Sequence, residues 1–206
     1  MRFRKIIAAT TLLALAGMGQ ASADSAKPGQ SMTHMKTGAG LSALLESAGV
    51  VIYVQGGATS SVMGESIASA DGQLVFHIPV TGSKSGVQHV GSNIVFFNTT
   101  NNRQVQLQNP VINLATGQIT AGIPQADSKS MAVLTISNVS ALKATVTNDR
   151  KAGLRTTAYK GAALALAPGI GAALSSLLGL PEGSLPEGAG FGTADVSLYG
   201  KIAKKK

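Results

Sequence analysis

Residues 73–123 form a succession of short β-branched runs broken by Gly, Asn and Ser clusters, which is the pattern of antiparallel strands joined by tight turns. Leu74, Phe76, Ile78 and Val80 alternate along one face and leave His77 on the other. Residues 87–97 read as one longer strand with His89, Asn93, Val95 and Phe97 on a common side. Val105 and Leu107 point inward, Gln104, Gln106 and Gln108 outward, and Asn109-Pro110 marks a bend or a strand edge. Residues 111–114 and 119–123, joined at Thr116-Gly117, make the next hairpin.

The same alternation extends to both sides. Residues 50–55 are a strand with Val50, Ile52 and Val54 on one face and Val51 and Tyr53 on the other; Gly56-Gly57 ends or bulges it. Asp71-Gly72 is a hairpin turn signal. Residues 131–146, 162–167 and 192–202 add further strands. Residues 170–178 carry apolar side chains at helical spacing, after Pro168 and before a capping Gly179. The expectation is a mostly β fold, an antiparallel β-sandwich or barrel-like domain with one C-terminal helix.

Ahead of the strands lies a leader. Arg2, Arg4 and Lys5 precede an apolar run, and Ala21-Ser22-Ala23 has the small-residue pattern of a cleavage site, so residues 1–23 read as a signal peptide cut after Ala23. Export to the periplasm or beyond follows as an expectation. Residues 24–40 lack periodicity and read as a flexible lead; 41–203 read as a single β-rich domain and 204–206 as a basic tail. No stretch after the leader has the length of a membrane-spanning helix. Cys is absent, so no disulfide forms and burial must offset chain entropy unaided.

Charge and composition narrow the partners. The chain has 17 Lys and Arg against 9 Asp and Glu, but no aromatic residues interleave with the basic ones, so nucleic-acid binding finds no support. Lys204, Lys205 and Lys206 offer contact with an acidic wall polymer or a membrane surface, set against a plain solubilising end.

Few residues point to chemistry. With three His and no Cys, no zinc-type spacing exists. Met32, His34 and Met35 form a thioether and imidazole cluster of the kind that suits Cu(I), set against a mobile linker. Neither Gly64-Glu65-Ser66-Ile67-Ala68 nor Gly82-Ser83-Lys84-Ser85-Gly86 has the spacing of a hydrolase nucleophile elbow. Haem needs an axial ligand and an apolar slot; Tyr53 with His77 or His89 supplies candidate ligands, and Phe76, Phe96 and Phe97 candidate walls.

The runs Val87-Gln88-His89-Val90-Gly91-Ser92-Asn93-Ile94-Val95-Phe96 and Val105-Gln106-Leu107-Gln108-Asn109-Pro110-Val111-Ile112 resemble the HtaA-type domain of secreted bacterial haem-uptake proteins. So do Tyr53-Val54 before Gly56-Gly57-Ala58, and Phe191-Gly192-Thr193-Ala194-Asp195-Val196 after the late helix. Small exported actinobacterial proteins, some labelled cholesterol esterase, are similar too. The HtaA-type resemblance implies a β-rich domain with one C-terminal helix, and places Tyr53 in the region of a haem-ligating tyrosine. That family sets a His just after its V-x-F run, where this chain has Asn98-Thr99.

The resulting expectation is an exported, non-enzymatic protein that binds haem or another apolar small molecule through Tyr53, His77 and His89, with no metal site of its own. A secreted lipid or steryl esterase and a structural wall or surface protein are the alternatives.

Overall fold

The structure, a computed structural model, describes residues 30–62 and 73–202; the expected leader, the Asp71-Gly72 turn and the Lys204–Lys206 tail lie outside the described residues. The chain is mostly strand. Along the chain run β1 (Met32–Thr37), α1 (Ala39–Ser47), β2 (Val50–Gly56), β3 (Thr59–Val62), β4 (Leu74–Pro79), β5 (Val87–Gln88), β6 (Ser92–Asn98), β7 (Gln104–Asn113) and β8 (Gln118–Ile123). They are followed by β9 (Ser128–Ile136), β10 (Ala144–Asp149), β11 (Leu154–Leu166), α2 (Ile170–Leu178) and β12 (Gly190–Lys201).

One antiparallel path connects ten of the strands in the order β2-β6-β7-β8-β9-β11-β12-β1-β4-β3, with β10 added on β11 and β5 on β7. Gly57 and Ala58 link β2 directly to β3, so the two ends of that order lie alongside each other and the sheet nearly closes. Of the two expected architectures the barrel-like one is correct. The close depends on Gly56, which has φ +75° and whose absent Cβ would collide with the Gly91 carbonyl.

Side chains from every wall fill the inside. Phe76, Ile78, Ile94, Phe96, Leu107, Ile119, Ile123, Leu134 and Val196 are at most 2 % exposed and belong to one continuous core. Phe96 meets Phe191 edge-on, with ring centroids 6.4 Å apart. Two nine-residue helices plug one mouth of the barrel. The first, α1, buries Leu41 and Leu45, and α2 buries Ile170, Leu174 and Leu178 before ending at Gly179, whose φ of +68° is the left-handed cap expected there. Residues 41–46, which alone suggest no more than one helical turn, therefore belong to a second full helix.

Two further segments differ from their sequence reading. The lead at 24–40 contains β1, which lies between β12 and β4 with ladders on both sides. The supposed single strand 87–97 is broken: β5 stops at Gln88, Gly91 takes φ +82°, and the amide of Ser92 donates to the carbonyl of His89. That turn shifts the register, so His89 points into the barrel while Asn93, Val95 and Phe97 lie on the opposite face, Val95 fully buried there.

Past the last β1 rung, β10, β11 and β12 continue as a three-stranded ribbon, and β10 is exposed along its whole length.

Gly192, at the start of β12, has φ +145°, and a Cβ there would meet the Lys36 carbonyl of β1. Gly161 is also left-handed, at φ +70°, but has open space around it. Urea unfolding is expected to show Gly192→Ala losing about 2–4 kcal/mol and Gly161→Ala about 1 kcal/mol. Equal losses would contradict the tight β1–β12 contact.

Candidate functional site

Strand β1 presents Thr33, Met35 and Thr37 inward and Met32, His34 and Lys36 outward. Its inner face is two-thirds hydroxyl, and each hydroxyl has a partner. Thr37 Oγ1 accepts from the amide of Leu74 at 2.8 Å, and Thr33 Oγ1 lies 2.8 Å from His89 Nε2.

On the outer wall the registers set a row across four strands. Thr59 faces His77, His77 faces His34, and His34 faces Asp195. Directly opposed side chains on one face of an antiparallel pair sit about 5 Å apart at Cβ, within reach of one another. The two imidazoles meet: Nδ1 of His34 lies 2.8 Å from Nδ1 of His77, with the rings edge-on at 85°. One Nδ1 must carry the proton and donate it to the other's lone pair. Asp195 is held in place by the Gly161 amide, which donates to its Oδ1 at 2.7 Å. Burial pushes the His34 imidazole below its ordinary pKa, the neighbouring His77 adds to that, and Asp195 opposes both.

His89 is in a different place. It is 1 % exposed, inside the barrel. Nδ1 lies 2.9 Å from the Pro110 carbonyl, which can only accept, so Nδ1 carries the proton and Nε2 accepts from the Thr33 hydroxyl. Burial lowers its pKa, and the bond to Pro110 partly offsets this. Both ring nitrogens are thus engaged, and no lone pair is left to face a ligand or a substrate proton.

Tyr53 stands half-buried on the outer wall of β2, opposite Val95 of β6; beside it Val51, 47 % exposed, is opposite Phe97. The three residues singled out from sequence are therefore not brought together. Tyr53 and His77 are on the outer wall, on strands separated by β3, and His89 is inside. The cluster at 32–35 does not assemble either, because Met35 faces the core while Met32 and His34 face out. Asn98, where the HtaA-type pattern has a His, is buried; with Asn101 it donates to the Leu178 carbonyl, at 3.0 and 2.8 Å, and caps α2. The His34–His77 contact escaped sequence reading because His34 fell in a segment without alternation. Opposed His on two strands would have been the signal.

Phe76 and Phe96, expected to line a slot, are packed in the core instead. The cavity bordered by Thr33, His89 and Leu107 measures about 10 Å³, room for about one water. A depression of about 460 Å³ opens outside beside Gln108, Asn109, Pro124, Asp127 and Lys129; most of its lining residues are polar and none is aromatic. No group of three His, Asp or Glu side chains able to hold a metal occurs among the described residues, and no described helix is long and apolar enough to cross a membrane.

No protein-family model matches the chain, and no curated protein matches it.

Both shifted histidines titrate below an unfolded value of about 6.5. Above that pH both states are neutral and stability is at its full value. As pH falls through it, the unfolded chain takes up protons first, so stability declines until the folded pKa values are reached. Unfolding free energy is expected to drop between pH 7.5 and pH 5, with a smaller drop in His89→Gln. A flat profile in the wild type would contradict the buried, neutral His89.

Proposed function

We propose that the chain is an exported binding protein that holds haem on the outer wall of the barrel, with the Tyr53 phenol oxygen as axial ligand. What supports this reading is the placement of Tyr53. It stands beside Val51 and Phe97 on a wall whose inner side is already filled, so an apolar planar guest meets an aromatic and aliphatic patch there and finds no room inside. Tyr is an established haem ligand type, and Phe97 and Val51 would face the macrocycle. When bound, haem supplies the iron that the phenol oxygen holds; the chain supplies the ligand and the apolar wall. His89 has no part in this reading, since its ring is committed to Thr33 and Pro110. The same commitment argues against a steryl or lipid esterase using His89 as its base.

Titrating the apoprotein with haemin should produce a Soret band. Tyr53→Phe, which keeps the ring and removes the ligand oxygen, should weaken binding at least about tenfold, or 1.4 kcal/mol. An unchanged Soret band in Tyr53→Phe, or none in the wild type, rejects the reading. Hydrolysis of a short-chain nitrophenyl ester, lost in His89→Gln, would restore the esterase.

A second reading concerns where the exported protein is retained, and the ribbon end favours it. Arg150 and Lys151 form the β10–β11 turn, Arg155 and Lys201 occupy the adjoining rungs, and Lys204, Lys205 and Lys206 follow in sequence. The acid there, Asp149, is engaged by the amides of Lys151 and Ala152. Such a tip would contact an anionic membrane surface, each cation adding about 1 kcal/mol at low salt. Sedimentation with phosphatidylglycerol vesicles should be strong at low salt, absent with phosphatidylcholine, and reduced in Arg150→Ala/Lys151→Ala. Binding that ignores salt and lipid charge would reject it.

A further inference from the structure

The outer-wall histidine pair has a use that neither the haem reading nor the core explains. We propose that His34 and His77 form a two-imidazole chelating site for a divalent transition metal, Cu²⁺ ahead of the others. Both residues project from the same face of adjacent, in-register strands, so the backbone itself sets the spacing of the two ligands. β1 is laddered on both sides and β4 is laddered to both β1 and β3, which holds the two ligand positions without help from loops.

The spacing admits a cis pair of ligands on one ion. Two nitrogens at adjacent corners of a square-planar site, each about 2.0 Å from the metal, lie about 2.8 Å apart; at the corners of a tetrahedron they lie about 3.3 Å apart. The two Nδ1 atoms are 2.8 Å apart, joined by their mutual hydrogen bond, and the rings meet edge-on, nearly perpendicular. A small rotation of each ring turns the two lone pairs from one another onto a common ion. The ring that carries its proton on Nδ1 must then carry it on Nε2, an exchange through water that leaves both imidazoles neutral and releases no net proton. Imidazole donors and the ordinary affinity order of divalent ions also favour copper over zinc and nickel.

The neighbours suit a cation. Asp195 lies one strand beyond His34, fixed by the Gly161 amide, and puts a negative charge beside the site. It is not itself grouped with the pair as a ligand, so water completes the coordination. Thr59, opposite His77, offers a hydroxyl to such a water. The pair lies apart from Tyr53, with β3 between their strands.

The test is a Cu²⁺ titration of the untagged chain followed by electron paramagnetic resonance. One equivalent should bind, with hyperfine splitting from two nitrogens. Either His34→Gln or His77→Gln should weaken it about a hundredfold, the loss expected when the second tethered ligand is removed. Tyr53→Phe should bind Cu²⁺ as the wild type does, which separates this outcome from that of haem. Should a histidine variant fail to fold by circular dichroism, nuclear magnetic resonance of the unsubstituted chain decides. Paramagnetic broadening by Cu²⁺ should then centre on residues 34 and 77. Copper binding unchanged in a folded single variant, splitting from one nitrogen only, broadening centred elsewhere, or Zn²⁺ held as tightly as Cu²⁺ would overturn the proposal.

Discussion

The double ladder made by β1 is what the rest of the structure depends on. On one side it pairs with β12, from the far end of the chain, and on the other with β4, from the first half. Without it the path would break into a β3–β4 hairpin and the remaining strands, and neither piece would enclose a core. The same six residues also set both histidine contacts. Thr33 places a hydroxyl on His89 inside the barrel, and His34 places an imidazole on His77 outside it.

A barrel closed in this way has to choose between a packed interior and a guest. Here the interior is packed, by Phe76, Phe96, Phe191 and the aliphatic side chains around them, with two helices across one mouth. No disulfide supports the fold, so the burial is needed for stability. A guest of the proposed kind would therefore meet the outer wall, where the exposed positions of alternating strands are free to vary without touching the core. The aromatic patch at Tyr53, the histidine pair and the basic ribbon end are all on that outer surface.

Much of this was legible in the sequence, for a physical reason that also explains what was not. In β2, β4 and β7 the inner positions are apolar, and in β7 the outer ones are the polar Gln104, Gln106 and Gln108, so the strands, their faces and the mostly β fold can be read directly. The β1 segment inverts that expectation. Its inner positions include Thr33 and Thr37, whose hydroxyls are bonded to groups remote in sequence, and its outer positions include Met32. Binary patterning has no means of registering a polar residue that is satisfied by a distant partner. The error at His89 is of another kind. Alternation carried through Gly91 puts His89 on the face of Asn93, Val95 and Phe97, whereas the positive φ of that glycine resets the face and turns His89 to the other side. α1 is as long as α2 and equally without a side-chain cap, but its apolar stripe is thinner: it buries Leu41 and Leu45, where α2 buries Ile170, Leu174 and Leu178.

Amide hydrogen exchange along residues 32–37 tests the central claim most directly. If β1 is a full member of the sheet, its amides should open only with the whole molecule, exchanging as slowly as those of β6 and β7. Exchange of the 32–37 amides within seconds, while β6 and β7 stay protected, would show that the segment is a lead and not a strand. The histidine pair would fall with it.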